Sequence, residues 1–184
     1  MQFVLDNLLA SVVAGMVFLI LAGVSVRSQL TNVETTNHYG LKNQEINFIE
    51  MLKLDLHGVS GVKSVIEDPV DSSFKFMAYM TPTATTETEI TYRRAKVGER
   101  DGVPLYQIRR LEDGLAAGRS MVTVTDWVIE ARNHEGGSIT DPANAGQIYV
   151  RFEAAAPWQE DETIKRSRWE ATFRPPLMRQ NVLL

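Results

Sequence analysis

Cysteine is absent from this 184-residue chain. No disulfide, thiolate nucleophile or cysteine-based metal site is open to it, so packing alone must hold the fold. Proline is absent from the first 68 residues. Nothing there forces a helix to end. Basic charge is in short supply: the net charge is −4 and the pI is near 5.4. That argues against nucleic acid as a partner, because phosphate binding needs clustered Lys and Arg. The longest basic cluster, Lys165-Arg166-Ser167-Arg168, runs into an alternating stretch, as an exposed strand face would. Catalytic signatures are missing too. No GxGxxG, P-loop, GxSxG or HExxH occurs, and His38, His57 and His134 are scattered. Each histidine is expected at the surface or in a loop. Ser60 follows His57 by three residues, but between Gly58 and Gly61 the pair reads as a helix end. Acidic groups at Glu67-Asp68 with Asp71, and at Glu160-Asp161-Glu162, match no EF-hand spacing and read as solvated turns. No catalytic residue, cofactor, metal or small-molecule substrate is therefore expected, and the chain reads as non-enzymatic.

Charge is also missing from one long stretch: no charged side chain lies between Asn7 and Val26. Residues 8–26 read LLASVVAGMVFLILAGVSV, with nothing more polar than Ser11 and Ser25. A spanning helix needs about 20 such residues to cross a hydrocarbon core about 30 Å thick. A cleaved signal peptide fits poorly, because it has a positive leading region and a small-residue cleavage site. Here the only early charges are the α-amino group and Asp6. Gly15 and Gly23 are tolerated in lipid and leave room for helix-to-helix contact. Asp6 stands just ahead of the apolar run. It reads either as an interfacial N-cap residue or as one half of an intersubunit charge pair.

Helical spacing continues beyond Arg27. Leu41, Phe48, Ile49, Leu52 and Leu56 recur at helical intervals, with Asn43, Asn47 and Glu50 on the opposite side and Glu45 on the apolar stripe. Thr and Asn crowd residues 31–39, where the helix is expected to bend or fray. Gly58 and Gly61 are stop signals.

The rest reads as strands. Period-two patterning with aromatic and β-branched residues covers 73–81, 89–95, 104–111, 120–132 (with a kink near Asp126), 146–154 and 167–174. Loops are expected at Glu99-Arg100-Asp101-Gly102, Glu112-Asp113-Gly114, Glu135-Gly136-Gly137 and Asp141-Pro142-Ala143-Asn144, and over 81–88. No helices alternate with these strands, so an antiparallel meander is expected. The fold class is α+β: a long N-terminal helix, membrane-spanning in its first half, packed on an antiparallel sheet. The divisions are 1–27 for the anchor, 28–62 for its amphipathic continuation and 63–184 for the β domain.

This order of parts resembles the type IV pilin-like family, in particular a minor pilin or a minor pseudopilin of the type II secretion J-subunit class. The residues that carry the resemblance are Phe3-Val4-Leu5-Asp6, the helix end Ile49-Glu50-Met51-Leu52-Lys53-Leu54-Asp55-Leu56, and the strand segments around Tyr92, Ile108, Trp127, Val150 and Trp169. The resemblance implies a structural subunit of a secretion or pilus-type assembly in the bacterial cytoplasmic membrane. Its β domain would be periplasmic or extracellular. Its partners would be the lipid bilayer and other membrane or pilin-like subunits, met through the N-terminal helix. Asp6 would neutralise a neighbour's N-terminal amine. The family's leader ending in Gly has no counterpart ahead of Phe3, and the acid is Asp where the family has Glu. Arg27 alone would leave the soluble part cytoplasmic; the family places it on the other side. The alternative function is a single-pass accessory subunit of another membrane complex, with the β domain as its interaction module.

Overall fold

A computed structural model describes residues 2–68, 72–81, 83–100, 102–120, 122–155 and 166–178; the side chains of residues 2–6 and of Arg119 fall outside the description. One helix, α1 (Gln2–His57), is followed by eight strands: β1 (Val59–Val62), β2 (Ser73–Ala78), β3 (Thr88–Arg100), β4 (Val103–Glu112), β5 (Leu115–Arg119), β6 (Thr123–Arg132), β7 (Gln147–Ala155) and β8 (Arg166–Phe173). A one-turn 3-10 helix, Pro142–Asn144, interrupts the connection from β6 to β7. The chain divides into two compact units, Met1–Gly40 and Leu41–Leu184.

The first unit is helix alone. No described residue from Asn7 to Gly40 is buried. Leu9, Phe18, Leu19 and Ile20 are each more than three-fifths exposed. Apolar side chains face outward all round, as on a helix whose surroundings are themselves apolar. By length and composition α1 is apolar enough to cross a membrane.

In the second unit, residues 41–57 of α1 lie against the sheet. Leu41, Glu45, Phe48, Leu52, Asp55 and Leu56 are buried, while Asn43, Asn47, Glu50 and Lys53 are exposed. That is the expected apolar stripe with two acids set into it. The sheet is antiparallel throughout, in the order β1-β2-β3-β4-β6-β7-β8, with β5 hydrogen-bonded to β4 off that path. β4 shares one edge between two partners: Arg109–Glu112 pairs β5, and Tyr106 pairs Val124 of β6. The core is aromatic. Phe48 of α1 lies 5.2 Å from Phe152 and 5.8 Å from Trp127, centroid to centroid, and Trp127 lies 6.2 Å from Tyr92. These offsets suit tilted and edge-to-face ring packing.

Two expectations are corrected here. The continuation of the helix does not reach residue 62: α1 closes at His57, and Val59–Val62 is strand β1, paired with β2. Gly58 makes that transition, because a Cβ there would sit 2.3 Å from the Tyr79 carbonyl oxygen. Its carbonyl accepts the Tyr79 N–H at 2.9 Å. Close approach, rather than a left-handed cap, is what requires the glycine. The kink near Asp126 is not a break either. β6 runs unbroken through Thr123–Arg132, with the register against β7 shifting between Val124 and Asp126 as at a bulge. The turn after Glu112 falls where expected, whereas Glu99 and Arg100 belong to β3 and Asp101 lies outside the described residues. Asp113 (φ 48°) and Gly114 (φ 81°) form the two-residue loop between β4 and β5, both in the positive-φ region that such hairpins demand.

Candidate functional site: the apolar helix and its buried charged clamp

Two features stand out from ordinary packing: the unpartnered apolar surface of α1, and a group of charged side chains buried under its last turns.

The first follows from composition. From Leu8 to Val26 the large side chains are all exposed. Gly15 and Gly23 sit on this surface, with nothing within 4 Å of a Cβ built at either position. Another helix could approach the backbone closely there. Asp6 lies within α1, but its side chain is outside the described residues.

The second feature is built on Asp55. Helical spacing puts Asp55 on the same stripe as Leu52 and Leu56, which are both fully buried. A lone carboxylate in such a place would carry a large desolvation cost. β4 supplies the counter-charge. Arg110 lies two residues from Ile108 on the same strand face, and both are buried. Its Nε donates to Asp55 Oδ2 at 2.6 Å and its Nη2 donates to Oδ1 at 2.9 Å, a bidentate pairing. β3 adds the Tyr92 hydroxyl, which donates to Asp55 Oδ2 at 2.5 Å. Arg110 Nη1 donates to Glu112, and Nη2 lies 3.7 Å from the Met80 sulfur. Burial pushes the Tyr92 hydroxyl well above the ordinary tyrosine pKa, and the adjacent Asp55 charge adds to the shift. Burial works against the Arg110 charge, but hydrogen bonds to Asp55 and Glu112 outweigh it and hold its pKa above the ordinary arginine value. Tyr92 therefore stays a neutral donor and Arg110 a fixed cation. Three elements, α1, β3 and β4, are pinned at one carboxylate.

A smaller tie secures α1 to the edge strand. Glu45, 2% exposed, accepts from Ser167 Oγ of β8 at 3.1 Å and from Lys42 Nζ at 3.2 Å.

The remaining sequence candidates disperse. His38, His57 and His134 are exposed. Ser60 Oγ donates to the Met77 carbonyl at 3.3 Å, not to His57. Glu67 pairs with Arg94 at 3.3 Å, while Asp71 and Glu160-Asp161-Glu162 lie outside the described residues. Among the described residues no group of three His, Asp or Glu could hold a metal ion. Arg166 and Arg168 of the basic cluster pair with Glu153 and Glu170, as on a solvated strand face. An open cavity of about 510 Å³ beside the helix end is lined mostly by apolar groups, among them Leu54, Tyr79, Met80 and Leu177.

Sequence reasoning placed Glu45 on the apolar stripe and quoted Asp55, but missed their partners. A signal was available: the alternation that turns Ile108 inward turns Arg110 inward as well, and a buried acid needs a cation. Comparison with protein-family models, with curated proteins and with solved structures gives no match.

Proposed function

We propose that the chain is a non-enzymatic minor pilin-like or pseudopilin-like subunit, held in a membrane by α1 and joined to neighbouring subunits through that helix. One observation carries this: residues 8–26 of the first unit are helix with every large apolar side chain exposed, continuous in sequence with a second helical stretch locked into an antiparallel sheet. Lipid alone asks only for an apolar surface. Gly15 and Gly23 add places for a second helix, and Asp6 adds one charge where an assembling neighbour could offer an amine. In this reading the β domain faces the periplasm or the cell exterior. The last turns of the helix are tied to the sheet through Asp55 and Glu45.

The test is co-purification from native membranes. Asp6→Ala and Asp6→Lys are expected to weaken recovery of partner subunits, the lysine variant more strongly, without loss of the protein from the membrane. Normal recovery with both variants overturns the charge-pair role. A foreign spanning helix in place of residues 1–27 separates the assembly role from tethering. A pilin-like subunit loses its partners in that chimera. An accessory subunit that uses the helix only as a tether keeps them.

A further inference from the structure

The stretch of α1 between its apolar span and the sheet is unbroken helix, without the expected fraying at 31–39, yet its sequence supports helix weakly. Residues 28–40 read SQLTNVETTNHYG. Only Gln29, Leu30 and Glu34 are strong helix formers. The rest are Ser, Thr, Asn, Val, His, Tyr and Gly, which favour the helix weakly or oppose it. Thr31, Thr35 and Thr36 each turn the hydroxyl back onto the carbonyl four residues earlier, at 3.0, 2.8 and 2.8 Å. Such back-bonding slightly destabilises and bends helices.

Among the described residues no ion pair or buried apolar contact holds this stretch. Its side chains are exposed except for half-buried Asn37 and Gly40, and Leu30, Val33 and Tyr39 are each nearly three-fifths exposed or more. Among the described residues no ion pair involves positions 28–40. Glu34 has no Lys or Arg within four residues on the C-terminal side to support it. The stretch also ends where the two compact units divide, between Gly40 and Leu41. Among the described residues Leu41 is the first that is buried. Most helical stability in proteins comes from packing an apolar face, and Leu30, Val33 and Tyr39 are exposed. Flanking helix removes the nucleation cost, so propagation through Thr, Asn and Gly decides the outcome.

We infer that residues 28–40 are a helix–coil hinge that frees the sheet-bearing unit from the direction set by the apolar span. As helix the stretch covers about 20 Å. Extended, it reaches about 43 Å. Melting therefore leaves the average span at about 20 Å but frees its direction and raises its upper limit to the extended value. The hinge does not depend on the pilin-like reading, since any anchored subunit would gain the same freedom.

Hydrogen exchange on the full chain in lipid nanodiscs tests it. Amides of residues 29–40 are expected to exchange at least a hundredfold faster than those of residues 48–56. A second protein carries Thr31→Ala, Thr35→Ala, Thr36→Ala, Asn37→Ala and Gly40→Ala together. A Cβ at Gly40 meets nothing within 4 Å, and Thr31, Thr35 and Thr36 are exposed, with hydroxyls bonded within the helix. In this variant exchange over 29–40 should slow at least tenfold, while the amides of β6 and β7 exchange as before. Two results overturn the hinge: protection of 29–40 equal to that of 48–56 in the unsubstituted chain, or fast exchange there that the alanines leave unchanged.

Discussion

Asp55 carries more of the fold than its single charge suggests. Its carboxylate takes both arms of Arg110 and the Tyr92 hydroxyl in a site closed to water. Removing one partner leaves a buried charge without compensation. Asp55→Ala or Arg110→Ala should each cost about 3–5 kcal/mol, read as a lower denaturant midpoint of the sheet-bearing unit. Replacing both together, as Asp55→Leu with Arg110→Met, should recover most of that loss, because apolar pairs of similar volume often match or exceed a buried ion pair. If the double variant is as unstable as the singles, the pairing is not what the singles lost. Tyr92 gives a signature in pH. Its folded-state pKa lies above the unfolded value of about 10. Its contribution is therefore complete below about pH 10 and is lost as pH rises through the folded value. Melting temperature should fall between pH 9 and pH 11, and by less in Tyr92→Phe, which has no proton to lose there. Equal falls in the two proteins would remove Tyr92 as the cause.

Elements show how much of this was legible beforehand. The stripe of α1 was plain, because Leu41, Phe48, Leu52 and Leu56 keep helical spacing and the exposed positions between them are polar. Leu52→Ala should cost about 2–5 kcal/mol, since it empties a fully buried site. Leu54→Ala, two positions on and 69% exposed, should stay within about 0.5 kcal/mol of the unsubstituted protein. Equal effects in chemical denaturation would mean that the buried face is misassigned. Strands with β-branched or aromatic alternation, such as 146–154, were legible for the same reason. β1 and β5 were not. VSGV and LAAGR are short, carry glycine, and take strand geometry from the neighbours they pair with, β2 and β4. The strand read as kinked near Asp126 because a bulge interrupts period-two spacing without ending the strand. Of the buried clamp, Tyr92 was read on one strand face with Ile90, and Asp55 was quoted at the helix end without a partner. Which cation meets Asp55 is fixed by strand order, and strand order is not written in the local pattern.

At the scale of the whole molecule, one apolar exposed helix and one antiparallel sheet share a single helical element, with the division between units at Gly40. Such a chain should remain with membranes through a high-salt wash, because burial of the apolar span in lipid does not rest on charge. Loss to the soluble fraction would remove the anchor. The central claim is that the anchor is also an assembly surface. Its most direct test is a structure of the native complex extracted from membranes, resolved well enough to trace α1 and its neighbours. The expected result is a bundle in which residues 8–26 pack on like helices, with Gly15 and Gly23 at the contacts and Asp6 facing a neighbour's amine. An α1 surrounded by lipid alone, with every partner held by the sheet, would contradict it.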